Sequence, residues 1–266
     1  MNKSSPSHFI VTRPINRATD LVKRLKELSS NDHPLQIDHC PLITIADYVE
    51  DVPPALSAFD GVIFISGNAV DQARKQLNSH DWANLLHNPL YAIGQQTAAI
   101  LQFDVDQLTE DEISNPKTLQ PVHFPQQMNS EGLLSMPQLK DIAGQSWLII
   151  KGLGGRDKLK TGLEAAGVKV TELAVYQRKL PDLLAQKQIA SYNQLSPYWL
   201  VTSSQALNNL WRILECKPNG CRIIVSSDRI ASEAEKLGFS VVAQSFDATD
   251  QQLVECVKNF IWNKSL

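Results

Sequence analysis

A short pattern occurs twice in this sequence: an apolar run, a tight turn and then leucines at helical spacing. The apolar runs are residues 9–11 and 147–150, and both are typical of a buried parallel strand. Arg13 and Lys151 follow these runs at matching places, 138 residues apart. Such a repeat constrains the fold strongly, because each copy is expected to form the same structural unit.

Two further segments repeat in the same order. Residues 61–70 match residues 198–207, and residues 91–98 match residues 224–231; each is an apolar run that passes into a helix. The offsets are 137 and 133 residues, and differences of this size are what insertions and deletions in loops produce. We therefore interpret the chain as an internal duplication.

Strands and helices are predicted to alternate along both copies, which favours α/β domains whose parallel sheets have helices on both faces. Two long extended runs, residues 35–46 and 168–178, interrupt this alternation. Pro41 lies in the first run and cannot donate a hydrogen bond to a central ladder, so we predict that residues 35–46 form an edge strand or a crossing. Weaker patterns predict strands at residues 105–109 and 121–124.

Composition narrows the class of protein. The 266 residues are 43% hydrophobic and 20% charged with a net charge of -3, which is ordinary for a globular protein and too acidic for a general nucleic-acid binder. The polar start MNKSSPSH lacks the apolar segment of a secretory signal, and no stretch approaches the ~18 apolar residues that would span a membrane. We expect a cytoplasmic protein that binds neither nucleic acid nor membrane.

Cysteine and histidine give no metal-binding pattern. No CxxC or HExxH motif is present, and no two histidines have the three- or four-residue spacing that would let both bind one metal from a helix face. We expect no metal site, and we expect free structural thiols at Cys40, Cys216, Cys221 and Cys256.

Candidate binding residues follow the predicted strands. Ligands of parallel sheets bind beyond the carboxyl ends of the strands, where helix N-termini present unpaired N–H groups. The residues there are mostly Ser, Thr, Gly, Lys and Arg, with no carboxylate pair, Ser-His-Asp set or activated cysteine, so they are typical of a surface that holds anions. The candidates are Arg13, Ser66, Thr97, Lys151, Gly154, Gly155, Arg156, Ser203, Ser204, Ser227 and Arg229.

Each candidate also has a purely structural interpretation. The KGLGGR segment at residues 151–156 is neither a P-loop nor GxGxxG, because Asp157 stands where the last glycine is required, so its glycines could simply form a turn. The serines could be helix N-caps, and the arginines could be solvated surface charges. Tyr176 follows an apolar run, where an aromatic residue is more often part of a core or hinge.

Several motifs together resemble one family. They are VTRP at 11–14, FISGNAV at 64–70, AIGQQTA at 92–98, SEGLL at 130–134, KGLGGR at 151–156 and VYQR at 175–178. Their order and spacing resemble the uroporphyrinogen-III synthases from about residue 9 to residue 255. Residues 227–230, SDRI, depart from the Gly and Thr that many relatives carry there.

The resemblance implies a fold and a domain division. The family has two flavodoxin-like parallel-sheet α/β domains that arise from a swapped internal duplication and are joined by a two-strand linker. The first strand and helix then belong with the C-terminal part of the chain. The implied first domain is residues 1–37 with 177–266, the second is residues 43–171, and the crossings are residues 38–42 and 172–176.

The resemblance also implies a reaction. Members of the family cyclise hydroxymethylbilane, a linear tetrapyrrole with eight carboxylates, to uroporphyrinogen III with inversion of ring D and loss of water, and they use no cofactor or metal. By motif matching, Tyr176 is the candidate proton donor, and the anion-holding residues above are the candidate substrate anchors. We expect a monomer whose contact with the preceding enzyme of the pathway is transient.

Two rival functions use the same observations. A non-enzymatic two-lobed sensor of a small polyanionic ligand would share the duplicated α/β layout, but it does not predict a tyrosine at a crossing. A nucleotide-dependent transferase would need a phosphate loop, which the sequence lacks.

Overall fold

The computed structural model describes residues 6–49, 56, 59–108, 121–155, 157–215, 218 and 220–263. The chain forms two compact units: unit 1 consists of Met1–Thr44 and Lys179–Leu266, and unit 2 consists of Ile45–Arg178. Among these described residues, each unit contains one five-stranded sheet. No helix within the described ranges is long and apolar enough to cross a membrane.

The strands are β1 (Ser7–Val11), β2 (Leu35–His39), β3 (Thr44–Asp47), β4 (Gly61–Phe64), β5 (Leu90–Ala92), β6 (Ser146–Gly152), β7 (Lys169–Lys179), β8 (Tyr198–Val201), β9 (Arg222–Val225) and β10 (Ser240–Gln244). The helices are α1 (Thr19–Lys26), α2 (Gly67–Gln76), α3 (Ser79–Leu86), α4 (Gln95–Asp106), α5 (Ser130–Leu134), α6 (Lys158–Ala165), α7 (Leu183–Tyr192), α8 (Ser204–Ile213), α9 (Asp228–Lys236) and α10 (Asp250–Asn263). Short 3₁₀ turns occupy Ile15–Arg17, Pro137–Leu139 and Asn193–Leu195.

The sheet of unit 1 has the strand order β10-β9-β8-β1-β2, and all its neighbours are parallel. Phe9 in the interior strand β1 pairs with Ile37 of β2 on one side and with Tyr198 of β8 on the other. One face of this sheet packs against the apolar stripes of α1 and α10, which supply Leu25 and Val257 among others to the core.

The sheet of unit 2 has the strand order β3-β7-β6-β4-β5. The pairs β7–β6, β6–β4 and β4–β5 are parallel. Alternate residues of β6 enter different cores: Leu148 and Ile150 pack with α2, α3 and α4, whereas Trp147 and Ile149 pack with α5 and α6. Both faces of the strand are therefore buried, and this explains its continuous apolar run. The predicted α/β fold with parallel sheets is confirmed.

Two predictions from the weaker patterns were wrong. Val105 belongs to α4, because it continues the buried stripe of Ala98 and Leu101 at helical spacing; residue 109 lies outside the described residues. Residues 121–124 form only an isolated bridge between His123 and Tyr91, not a full strand.

The extended run at residues 35–46 divides into β2 and β3, which are edge strands of different sheets. Pro41 lies between the two strands, where no ladder hydrogen bond is required of it.

Candidate functional site

The described candidates lie at the carboxyl ends of the strands in both units. In unit 2, Ser66 follows β4, Thr97 is in the first turn after β5, and Lys151 is near the end of β6. In unit 1, the corresponding places after β1, β8 and β9 hold Arg13, Ser203-Ser204 and Ser227-Arg229. Arg156 lies outside the described residues.

Three of the candidate serines are helix N-caps. The Oγ atoms of Ser66, Ser203 and Ser227 accept hydrogen bonds from the backbone nitrogens of the third residues after them, at 3.2, 3.1 and 3.4 Å. The interpretation of these serines as helix N-caps therefore holds for all three. A capping hydroxyl keeps its own proton available to a further acceptor.

Helix α4 begins differently. Its N-cap is Gly94, and no side chain caps this helix within the described residues. Thr97, in the first turn, is 4% exposed. A twelve-residue helix with an uncapped start presents N–H groups and a partial positive charge beyond the sheet edge, which suits an anionic ligand.

Arg13 is occupied by contacts within unit 1. Its guanidinium donates to the carboxylate of Asp250 at 2.7 Å, to the Thr202 hydroxyl at 3.3 Å and to the backbone carbonyl of Ala248. The side chain is only 10% exposed, and burial lowers the pKa of the guanidinium while Asp250 opposes that shift. These contacts hold the start of α10 against the end of β1.

Arg229 belongs to an exposed cluster on unit 1. It donates to the Ser204 hydroxyl and to the Glu233 carboxylate, which is 3.0 Å away. Hydrogen bonds from Ser204 and Arg229 lower the pKa of Glu233. The Arg229 side chain is 59% exposed, so the surface-charge interpretation describes it well.

Lys151 is buried in unit 2, with 7% of the residue exposed. Its Nζ donates to Oε1 of Glu172 at 2.6 Å, and Oε2 of the same carboxylate lies 3.6 Å from Nζ of Lys160. These three residues line a pocket of about 170 Å³ with Ser130 and the side chains of Ile65, Ile93, Ile149 and Leu159. Lys151 therefore combines a charge, burial and a cavity.

Tyr176 is 1% exposed and its hydroxyl has two polar neighbours. Ser66 Oγ lies 3.1 Å from the phenol oxygen, and Arg178 donates to that oxygen at 3.3 Å. The ring lies against Gly152, where an added Cβ would be 2.6 Å from the ring. The structure thus brings two predicted residues, Tyr176 and Ser66, into contact.

Gly154 and Gly155 have backbone φ angles of +72° and +104°. L-residues rarely adopt these conformations, so the turn itself accounts for both glycines. An added Cβ would meet nothing within 4 Å at either position.

Sequence reasoning missed Glu172, Lys160 and Arg178. Glu172 carried a usable signal, because it is a charged residue directly before the apolar run at 173–175. Lys160 was hidden, because single basic residues on a helix are common on surfaces. Arg178 lay inside the VYQR motif, but no role was assigned to it.

Metal-ligand clusters and cysteine thiols can be assessed in the described part of the chain. No group of three or more His, Cys, Asp or Glu side chains there could hold a metal. Burial raises the pKa of Cys40 to about 11 and that of Cys221 to about 12, so both thiols stay protonated at neutral pH. Cys256 is also free, and Cys216 lies outside the described residues.

Comparison with known proteins identifies the family. Residues 25–255 match the family model described as uroporphyrinogen-III synthase HemD. The uroporphyrinogen-III synthase of Escherichia coli strain K12 is 30% identical over 264 residues, covering 94% of this chain and 99% of the relative. The Proteus mirabilis enzyme of the same name is 32% identical over 186 residues, covering 67% and 84%.

Solved structures share the fold. The uroporphyrinogen-III synthetase of Helicobacter pylori 26695 superimposes with a TM-score of 0.60 at 16% identity, covering 94% of this chain and 97% of that one. A mutant uroporphyrinogen III synthase of Thermus thermophilus gives 0.56 at 16% identity, covering 97% and 99%. The matches of the family model and of the near full-length relative show that this chain belongs to the uroporphyrinogen-III synthase family.

Proposed function

We propose that this chain cyclises hydroxymethylbilane to uroporphyrinogen III with inversion of ring D and loss of water, as a cyclising lyase of tetrapyrrole biosynthesis. The observation that carries this conclusion is the Escherichia coli synthase, which aligns along 94% of this chain and 99% of its own length. The non-enzymatic sensor is not favoured, because the named relatives are synthases.

The described edge of unit 2 suits a substrate with eight carboxylates. Lys151 provides a buried cation, and the uncapped start of α4 provides N–H groups. Unguided ring closure would give the uninverted isomer, so the main task of the enzyme is to hold the substrate in one orientation. We propose that several carboxylate anchors perform this task together. The proposed anchors are Arg13, Ser66, Thr97, Lys151, Gly154, Gly155, Arg156, Ser203, Ser204, Ser227 and Arg229, of which Arg13 and Arg229 already have partners within unit 1.

We propose that Tyr176 donates the proton to the departing hydroxyl. The Arg178 guanidinium, 3.3 Å from the phenol oxygen, would stabilise the negative charge left by proton transfer. Ser66, 3.1 Å away, can donate a hydrogen bond to the phenolate, which regains its proton from the pyrrole carbon that loses one when the ring re-aromatises after closure. The buried ring also suits a packing role, and substitution with phenylalanine separates the two.

We propose that the two units are copies in a swapped duplication. Four adjacent strands support this: β9-β8-β1-β2 in unit 1 and β5-β4-β6-β7 in unit 2 have equivalent orders, and three of the four equivalent strand pairs are those matched by the sequence repeats. The fifth strand of each sheet is placed differently. In unit 1 it is β10, which neighbours β9, whereas in unit 2 it is β3, which neighbours β7 at the other end of the four-strand set. The order β2-β1-β8-β9-β10 in unit 1 is that of flavodoxin-like sheets.

The crossings at residues 38–42 and 172–176 remain part of this proposal. The units meet in sequence between residues 44 and 45 and between residues 178 and 179, close to those segments. We also propose a monomer that meets the preceding enzyme of its pathway transiently; a sedimentation mass near 29.6 kDa would support this.

The function is tested by isomer analysis. Hydroxymethylbilane is generated enzymatically and given to the purified protein without added metal or nucleotide, and the products are oxidised and separated. The type III isomer is expected to dominate, whereas the control without protein should give the uninverted isomer. An isomer ratio equal to that of the control would reject the proposed function.

A further inference from the structure

The pocket in unit 2 has one charged wall and several apolar walls. The apolar walls come from the ends of β4, β5 and β6 and from α6. The polar wall consists of Ser130, Lys151, Lys160 and Glu172. A cavity of about 170 Å³ with this lining has room for a short polar group, and its apolar walls strengthen electrostatic interactions by excluding water.

The pocket contains two ammonium groups but only one carboxylate among its lining residues. The single Glu172 carboxylate serves two ammonium groups, at 2.6 Å from Lys151 and 3.6 Å from Lys160. Asp157 lies 3.8 Å from Lys151, but its side chain is 74% exposed, so water screens its contribution. The buried ammonium of Lys151 therefore depends mainly on one carboxylate that it shares.

We infer that this pocket is a subsite for one carboxylate-bearing arm of the substrate, in which Glu172 serves as the internal counter-ion while the arm is absent. The inference rests on the proposed function for the identity of the arm. An entering carboxylate would pair with Lys151 and Lys160, giving two anions to two cations, and Ser130 can donate a third hydrogen bond.

The same arrangement makes the subsite selective. An uncharged arm of similar size would leave the Lys151–Glu172 pair in place and gain only apolar contact. A carboxylate gains a charge-assisted hydrogen bond, roughly twice as strong as a neutral one. Glu172 competes with the arm, so removing its charge should strengthen carboxylate binding.

The test uses Glu172→Gln, because glutamine fills the space of the glutamate and a rescuing carboxylate must enter the pocket itself. The matched control is Glu131→Gln, which removes an equal charge from the Lys158 ion pair in the same unit. Each variant is melted in sodium acetate and in sodium chloride at equal ionic strength. Glu172→Gln alone is expected to melt roughly 4–8 °C below wild type, because it leaves a mostly buried cation without its partner.

Acetate is expected to recover about 2–3 °C of that loss relative to chloride once it exceeds its dissociation constant severalfold, and to shift Glu131→Gln by less than about 1 °C. Equal responses of the two variants to acetate would overturn the subsite. This readout needs no turnover, so it stays separate from the isomer assay that tests the function.

A second measurement applies even if Glu172→Gln does not fold. Lys160→Gln is expected to raise KM about threefold with little change in kcat, whereas Lys158→Gln, two residues away on the same helix, should leave both within about 1.5-fold. The two lysine side chains are 37% and 56% exposed, so both substitutions should be compatible with folding. Indistinguishable KM values for the two variants would also overturn the subsite.

Discussion

The two units place a basic residue at the end of the corresponding strand, but they surround it differently. Arg13 in unit 1 donates to Asp250 and Thr202 and is held by the start of α10. Lys151 in unit 2 donates to Glu172 on the neighbouring strand and faces a pocket. The comparison teaches that residue type and place at a strand end do not decide whether a cation is enclosed by protein contacts or faces a cavity.

Register shows where the difference arises. Val11 pairs with His39 and Ile149 pairs with Glu172, each two residues before the basic residue. His39 Nε2 lies 2.8 Å from the backbone oxygen of Arg13 and offers no carboxylate to the guanidinium. Arg13 therefore takes its counter-ion from another element, and that element closes the space around it.

The largest expected effect tests whether unit 2 supplies the chemistry. Tyr176→Phe should lower kcat by ~10²-fold, near the low end of general acid catalysis, because only the hydroxyl is lost. The melting temperature should change little. The matched control is Tyr91→Phe, another buried tyrosine of unit 2, whose kcat should stay within about threefold. If kcat of Tyr176→Phe also stays within about threefold of wild type, Tyr176 is a packing residue and not the proton donor.

Arg13→Ala should remove the hydrogen bonds that hold the start of α10. We expect the free energy of unfolding to fall by about 2–3 kcal/mol in urea titrations, because Asp250 loses a mostly buried partner. The exposed Arg24→Ala is the control and should change stability by less than about 0.5 kcal/mol. Wild-type stability with a raised KM would instead make Arg13 a substrate anchor, as the sequence suggested.

Lys151→Met keeps the apolar stem and removes the charge. We expect KM to rise about tenfold with a smaller change in kcat, since a charge-assisted contact with substrate is lost. Lys169→Met, at the exposed start of β7, serves as the control and should leave KM unchanged. A loss confined to kcat would contradict an anchoring role.

Arg229→Ala should have the smallest effect. Its charge is exposed and already paired with Glu233, so we expect KM to change by less than about twofold and stability by less than about 0.5 kcal/mol. A tenfold rise in KM would show that unit 1 also holds substrate through a charged side chain, and would weaken the contrast between the units.

Much of the fold was predictable because it depends on local patterns. The apolar run of β6 indicated a strand buried on both faces, and the structure places Leu148 and Ile149 in opposite cores. Val105 was misassigned because a β-branched residue at the end of an apolar segment satisfies both the strand and the helix pattern.

The site was less predictable because its contacts join distant parts of the chain. Asp250 is 237 residues from Arg13, and nothing in either local segment indicates that they meet. The hydrogen bond between Ser66 and Tyr176 spans 110 residues. Motif matching nominated both of these residues separately, but their contact depends on the register of three strands.

Gly152 and Tyr176 cannot vary independently. A methyl group at position 152 would lie 2.6 Å from the phenol ring, so Gly152→Ala forces the ring to move or the strand to bend. The backbone of the next residue, Leu153, also donates to the carbonyl of Tyr176 at 2.6 Å, which limits how far the strand can yield. The two positions should therefore show epistasis: alanine at 152 should be harmful beside an aromatic residue and nearly neutral once position 176 carries a small side chain. Among natural variants of this protein, a side chain at 152 should appear only where the ring at 176 has already been lost.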